Sequence, residues 1–150
     1  TVAILFRTLT TAVGRRILTT SNTNGFQWGQ DGTSWVGNIA GGSFTVDNAS
    51  ERYSVDTNFH HVIMTFDGSQ TGNDNRLKVR LDGSATPIIF STSVNATTSA
   101  SASTFYGGVD STGNSNYWIG DLGELMIWTR ALSISETLAV EQYLTNKWAV

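Results

Sequence analysis

From Tyr117 to Trp148 the chain reads YWIGDLGELMIWTRALSISETLAVEQYLTNKW, and its hydrophobic period changes once along the way. That single change constrains the fold more than any other stretch. Trp118 to Trp128 is apolar and β-prone, with Gly120 and Gly123 suited to a strand approached closely by another backbone. Leu122, Met126 and Trp128 share one face, and Leu125 and Ile127 the other, a two-sided pattern that predicts a central strand between layers. Ser133 followed by Glu136 then forms a capping box, so a helix is expected from Ile134. Ile134, Leu138, Val140, Leu144 and Trp148 recur at helical spacing, while Glu136, Glu141, Gln142 and Asn146 lie mostly away from them. The expected apolar stripe docks the helix on the sheets.

Everything upstream reads as short strands and turns. Residues 1–9 alternate with apolar groups on both faces, and 16–20 form a second strand that ends in the turn formers Ser21 to Gly25. Phe26 and Trp28 alternate before a turn at Gln30 to Gly32; Trp35 to Ile39 and Ser43 to Asp47 follow, separated by Gly41 and Gly42. Further strands are expected at 51–55, 59–66, 76–81, 86–91 and 105–109, with Pro87 at a strand start or an edge. Thr92 to Ser103 is a low-complexity surface loop, and Asp110 to Asn116 a loop leading into the last strand. Many short strands, regular turns and one terminal helix predict an all-β antiparallel sandwich formed by 1–150 as one domain.

Composition narrows the function classes. Charged residues are only 14% of the chain, and short neutral hydroxyls and amides take their place, a surface common on exported or virion-exposed β proteins. The expected setting is therefore extracellular or on a virion surface. A net charge of -3 with no basic stripe excludes phosphate-backbone recognition, so nucleic acid is not an expected partner. The absence of Cys excludes disulfides and thiolate metal sites. No apolar run approaches the ~20 residues that span a bilayer, so membrane insertion is not expected.

Several segments carry a family resemblance. GDLGELMIWTRALSISE, closing on YLTNKW, resembles the end of laminin-G-like, concanavalin-A-like lectin/glucanase domains. FHHVIMTFDG at 59–68 resembles that family's "W-x-HV…yDG" strand and turn, with Phe59 where Trp is usual. RLKVRLDG at 76–83 is similar to its "lyvDG" hairpin, and TVAILFRT to its early strand. The resemblance implies a jelly roll of two sheets. It also implies one further strand before this early one; its absence suggests a processed chain or a segment of something longer.

The resemblance raises catalysis, because some members are glucanases with two strand carboxylates about 5 to 5.5 Å apart. Here only Asp121 and Glu124 occur, and a spacing of three places them on opposite faces of a regular strand. No enzyme activity is expected. His60 and His61 likewise point to opposite faces and cannot share one metal ion, so both are read as structural. Asp67 and Asp82, each before Gly, are read as turn residues. Calcium is a possible cofactor, implied by the resemblance, with oxygen donors at Asp31, Asn73, Asp74, Asn75, Asp110 and Asn114.

Sugars stack on exposed aromatics beside polar groups that bind their hydroxyls. Trp35 is flanked by Asp31 and Asn38, Tyr106 by Asp110, and Tyr117 by Asn114 and Asn116, so these are the candidate ligand-binding residues. Phe26, Trp28, Phe66, Trp128 and Trp148 are assigned to packing. Two functions follow as expectations. One is a non-catalytic carbohydrate-binding or adhesion module whose partner is a glycan. The other is a structural subunit of a surface assembly, such as a virion decoration, fibre or filament, whose partners are other protein subunits.

Overall fold

The computed structural model describes residues 1–11, 14–20, 25–47, 55–98, 104–109 and 115–149. In chain order the elements are β1 (Val2–Thr8), β2 (Arg15–Thr20), β3 (Phe26–Asp31), β4 (Ser34–Ile39), β5 (Gly42–Val46), β6 (Phe59–Phe66), α1 (Asn73–Arg76), β7 (Leu77–Leu81), β8 (Ser84–Ala85), β9 (Ile88–Phe90), β10 (Phe105–Gly107), β11 (Gly120–Ile127) and α2 (Ile134–Trp148). The strands form two antiparallel sheets. A five-stranded sheet runs β11-β1-β6-β7-β8 and a six-stranded sheet runs β10-β2-β3-β4-β5-β9.

Alternation along the strands builds the core between them. Ile4 and Phe6 of β1, Val62 and Met64 of β6, and Leu77, Val79 and Leu81 of β7 face inward. From the other sheet come Leu18, Phe26, Trp28, Trp35, Ile39, Phe44 and Val46. Trp28 and Trp35 stack with ring centroids 6.1 Å apart, and Phe6 meets Trp35 edge-on at 5.1 Å. Burying side chains of this size is worth about 1.5–3 kcal/mol each, enough for one such layer to hold both sheets together.

β11 departs from expectation. It lies at the end of its sheet and pairs only with β1, not between two strands. Its apolar residues on two faces answer to two layers, the core on one side and α2 on the other, which a central position would also give. The register slips between Leu5 and Phe6, where Gly123 is the extra residue of a bulge. Leu122 therefore joins Leu125 on the core side, and Asp121 joins Glu124 on the outer side.

α2 starts at the predicted cap: Ser133 and Glu136 form a full capping box. Its buried face is different from the predicted stripe. Thr137, Glu141 and Leu144 are buried, whereas Ile134 and Leu138 are 64% and 47% exposed. The helix is rolled because the outer face of the five-stranded sheet carries Arg80, which needs a carboxylate. Arg80 Nε donates to Glu141 Oε1 at 2.6 Å, with both side chains largely buried. Leu144 completes a small apolar layer with Ala3, Leu5 and Ile63, all buried outside the main core. Trp148, assigned to packing, is 38% exposed and lies across Gly123, where its ring approaches the place a Cβ would occupy to 3.6 Å. Trp128 is half-buried.

Other departures are local. The expected strand 86–91 is shorter: only β9 falls within it and pairs with β5, while β8, just before it, pairs with β7 in the other sheet. Pro87 stands at the crossover. A one-turn helix, α1, precedes β7. Of the expected strand 51–55 only Val55, which is buried, lies within the described residues.

Candidate functional site

The two sheets present different outer faces. That of the five-stranded sheet is roofed by α2, and that of the six-stranded sheet has no described helix over it. Register aligns Tyr106, Thr19, Gln27, Asn38 and Ser43 in one row across five strands of this open face. Arg16, Gly29, Val36, Thr45 and Ile89 form the next row. Asp31 and Ser34 close it at the β3–β4 turn. All alternate with the buried Trp28, Trp35 and Phe44, so they point away from the core.

The chemistry of this face is mainly hydrogen-bonding, with Arg16 and Asp31 as its charged groups. Asn38 Nδ2 donates to Ser43 Oγ at 2.9 Å, which fixes the amide plane. Gln27 is half-buried and makes no side-chain hydrogen bond among the described residues, leaving donors and an acceptor for a ligand. Arg16 Nη1 donates to the carbonyls of Arg15 and Gln30, each at 3.1 Å. Gly29 permits this arrangement, since a Cβ there would come within 2.1 Å of the Arg15 carbonyl.

Of the residues singled out from sequence, Asn38 and Tyr106 lie in this row and Asp31 at its margin. Tyr117 is 54% exposed beside β2, bridged to Arg16, and its carbonyl accepts from Arg15 at 3.1 Å. Trp35 is a correction: it is completely buried on the opposite side of the sheet and has no face to offer a sugar. Its neighbours Asp31 and Asn38 flank it in sequence, but alternation sends Asn38 outward and Trp35 inward. Asp110 and Asn114 lie outside the described residues. Sequence reading missed Thr19, Gln27, Ser43, Thr45 and Arg16. The available signal was parity, because each is set off by alternation from a neighbouring inward-facing aromatic or aliphatic residue.

The remaining candidates have structural partners. The bulge at Gly123 overturns the opposite-face argument for Asp121 and Glu124, since Asp121 faces Arg7 and Glu124 faces Leu5 on one side of the sheet. Asp121 pairs with Arg7. Glu124 accepts from Trp148 Nε1 and Tyr143 Oη at 2.8 Å and Lys147 Nζ at 3.1 Å. These donors, the Trp148 indole first, hold its pKa below the ordinary carboxylate value. Glu124 is thus kept ionised as the tie between β11 and the end of α2. Of the calcium donors, Asn73 accepts from the Val94 amide and Asn75 donates to the Thr71 carbonyl. No group of three His, Cys, Asp or Glu is placed to hold a metal ion among the described residues.

The two histidines do point to opposite faces. His60 faces the core near Phe6 and Trp35, between Asp82 at 2.7 Å and Asp56 at 3.0 Å. Burial opposes a charge on its ring, but the two carboxylates outweigh burial and raise its pKa. His61 lies under α2, where burial lowers its pKa. Asp82 sits in the β7–β8 turn at φ 49°, as a turn aspartate can, and also accepts the His61 amide at 3.0 Å.

A family profile described as the concanavalin A-like lectin/glucanases superfamily (Laminin_G_3) matches residues 1–136. The chain belongs to this superfamily. No curated protein sequence matches it. Among solved structures this superfamily member is similar to the CBM40 of the Ruminococcus gnavus IT-sialidase, with 13% identity and TM-score 0.62 over 93% of this chain and 80% of that one. The same CBM40 bound to α2,3 sialyllactose gives 14% identity and TM-score 0.61, again over 93% and 80%. Bound to α2,6 sialyllactose it gives 12% identity and TM-score 0.57 over 93% and 81%. At these identities the likeness is one of fold.

Proposed function

We propose that the chain is a non-catalytic carbohydrate-binding module that takes a glycan on the open face of the six-stranded sheet. The observation that carries this reading is the row Tyr106, Gln27, Asn38 and Ser43, an aromatic at one end of a line of amides and a hydroxyl with no described helix above it; Thr19, between Tyr106 and Gln27, is buried and supports the row without offering its hydroxyl. Tyr106 offers a ring for the C–H face of a sugar, and Gln27 and Asn38 offer both donors and acceptors for its hydroxyls. Similarity to modules bound to sialyllactose supports the class of ligand and names the first probe. An extracellular setting goes with this reading, and calcium at Asp31 is a variable of the assay.

The test is a glycan array followed by calorimetric titration of the best hit and of α2,3 sialyllactose, with calcium and with chelator. Gln27→Ala, Asn38→Ala and Tyr106→Ala should each weaken binding about threefold to tenfold, the worth of one net hydrogen bond or stacking contact. Unchanged affinity in all three would refute the assigned face.

One observation favours a second reading, a subunit of a surface assembly. The outer edge of β11 has no strand beside it among the described residues, and Tyr117, Ile119, Leu122 and Ile127 around it are 45–55% exposed. Such an edge is a template for another strand. If it is used, sedimentation should show concentration-dependent association that Leu122→Lys abolishes.

A further inference from the structure

α2 does not seal the outer face of the five-stranded sheet across its whole width, and the gap lies beside β7. Ile63 pairs with Arg80 and Thr65 with Lys78. Their strand neighbours Val62, Met64, Leu77, Val79 and Leu81 face the core, so these four side chains share the outer side. The roll that seats Glu141 on Arg80 also turns Ile134 away from the sheet, leaving it 64% exposed, and the first turn of α2 stands off the sheet margin. β8 adds only Ser84 and Ala85 before the chain crosses to the other sheet at Pro87. Between the helix start and that crossover lies a cleft of about 580 Å³. Its size is within the range of about 300–1,000 Å³ that holds small molecules.

The lining has a definite chemistry. Ile63, Leu132, Ile134, Pro87 and Ile88 give it apolar walls. Arg80 also reaches the cleft, but Glu141 neutralises it and the Gly83 carbonyl takes a further donor. Lys78 is exposed and has no ion-pair or hydrogen-bond partner among the described residues. Thr65, directly across from Lys78, accepts from the Thr1 hydroxyl at 3.4 Å, which leaves its own proton to donate. An uncompensated ammonium and a hydroxyl donor thus stand side by side at the rim of an apolar cleft. Asp74, in α1, lies at the end of the cleft that precedes β7.

We propose that this cleft binds a small amphiphile with a single carboxylate, of the class of the medium-chain aliphatic acids. The carboxylate accepts from the Lys78 ammonium and the Thr65 hydroxyl, and the chain lies against Leu132, Ile134, Pro87 and Ile88. A neutral ligand leaves the Lys78 charge unused, and a cationic head is repelled by it. Asp74 sets the limit at one negative charge, because a second acid at its end of the cleft meets a like charge with no cation beside it. The apolar chain removes the exposed Ile134 side chain from water, which supplies the driving force, while the head fixes the orientation.

The test is an NMR titration of the chain, labelled at its Ile and Leu methyl groups, with octanoate, 1-octanol and octylamine in parallel. A Kd on the order of 1 mM is within reach of a ligand of about ten non-hydrogen atoms. Saturable shifts are expected at the methyls of Ile63, Ile88, Leu132 and Ile134. Octanoate should bind about threefold to fivefold tighter than octanol, the worth of one exposed ion pair, and octylamine weakest. Lys78→Met keeps the apolar stem and removes the charge, so octanoate should fall to the level of octanol while octanol is unchanged. Ile134→Ser, at an exposed position, should weaken all three ligands. The proposal fails if octanoate does not saturate, if the shifts fall on other methyls, if octanol or octylamine binds the parent as tightly as octanoate, or if Lys78→Met keeps the preference for the acid.

Discussion

His60 and His61 are neighbours whose surroundings drive their charges apart, and this gives the chain a two-sided pH dependence. His60 has its pKa raised, so its stabilising contribution is complete below the unfolded value of about 6.5 and is lost as pH rises through the higher folded value. Asp56 has its pKa lowered, burial being outweighed by the Asn58 amide and His60, so its share is lost only as pH falls through a value below 3.8. His61 acts against His60. Its folded pKa is lowered, so the unfolded chain takes up that proton first, and stability falls as pH drops from about 6.5 through the lower folded value. His60→Gln should therefore flatten the loss of stability above about pH 6.5, and His61→Leu the loss below it. Urea midpoints measured across that range for both variants and the parent decide the matter, and parallel curves for all three would reject the assignment.

At the scale of elements, α2 is a fastener whose contacts are polar as well as apolar. Deleting Tyr143 to Val150 removes Leu144 and all three donors to Glu124, and uncovers Ala3, Leu5 and Ile63. The truncated chain should aggregate or melt far below the parent. Ser133→Ala should cost about 1 kcal/mol, because it removes the cap hydroxyl alone. Glu141→Ala should cost more, up to about 3 kcal/mol, since it strands Arg80 in a largely buried position. Thermal melts of the three variants rank them, and a Glu141→Ala cost no greater than that of Ser133→Ala would show that the ion pair does not seat the helix. The existence of α2 and its first residue were legible because the capping box is a local signal. Its roll was not, because it depends on Arg80, sixty-one residues from Glu141. The same distinction runs through the strands. Alternation made the core faces of β6 and β7 readable, whereas the bulge at Gly123 depends on how β1 pairs and inverted a conclusion drawn from regular spacing. Trp35 fell on the wrong side for a similar reason: adjacency in sequence to Asp31 and Asn38 is not adjacency on a face. Asn38 and Tyr106 emerged as candidates, but the row they belong to required the register of five strands.

For the molecule as a whole, the sandwich divides its labour between two outer faces, one roofed by α2 and one with no helix over it among the described residues. The division predicts that stability and ligand binding are separable. Glu141→Gln weakens the seat of α2 on the five-stranded sheet and should lower Tm without changing glycan affinity. Asn38→Ala removes a half-exposed amide on the six-stranded sheet and should weaken the glycan without lowering Tm. Glycan hydrolysis should be absent throughout. Asp121 is paired with Arg7, and Glu124 is held by three donors that lower its pKa, the wrong direction for a general acid; turnover abolished by Glu124→Gln would contradict this. The two faces still share one core, which makes a further outcome measurable. A glycan that binds only the folded chain raises its stability by about 2.7 kcal/mol at a hundredfold excess over Kd, whichever face it occupies. Saturating glycan should therefore raise the Tm of Glu141→Gln and of the parent by the same free energy, and should do less for Asn38→Ala at the same concentration. Differential scanning calorimetry with and without glycan tests both arms. A helix variant that gained markedly less than the parent would mean that the binding face depends on α2 and that the two faces are coupled through the core.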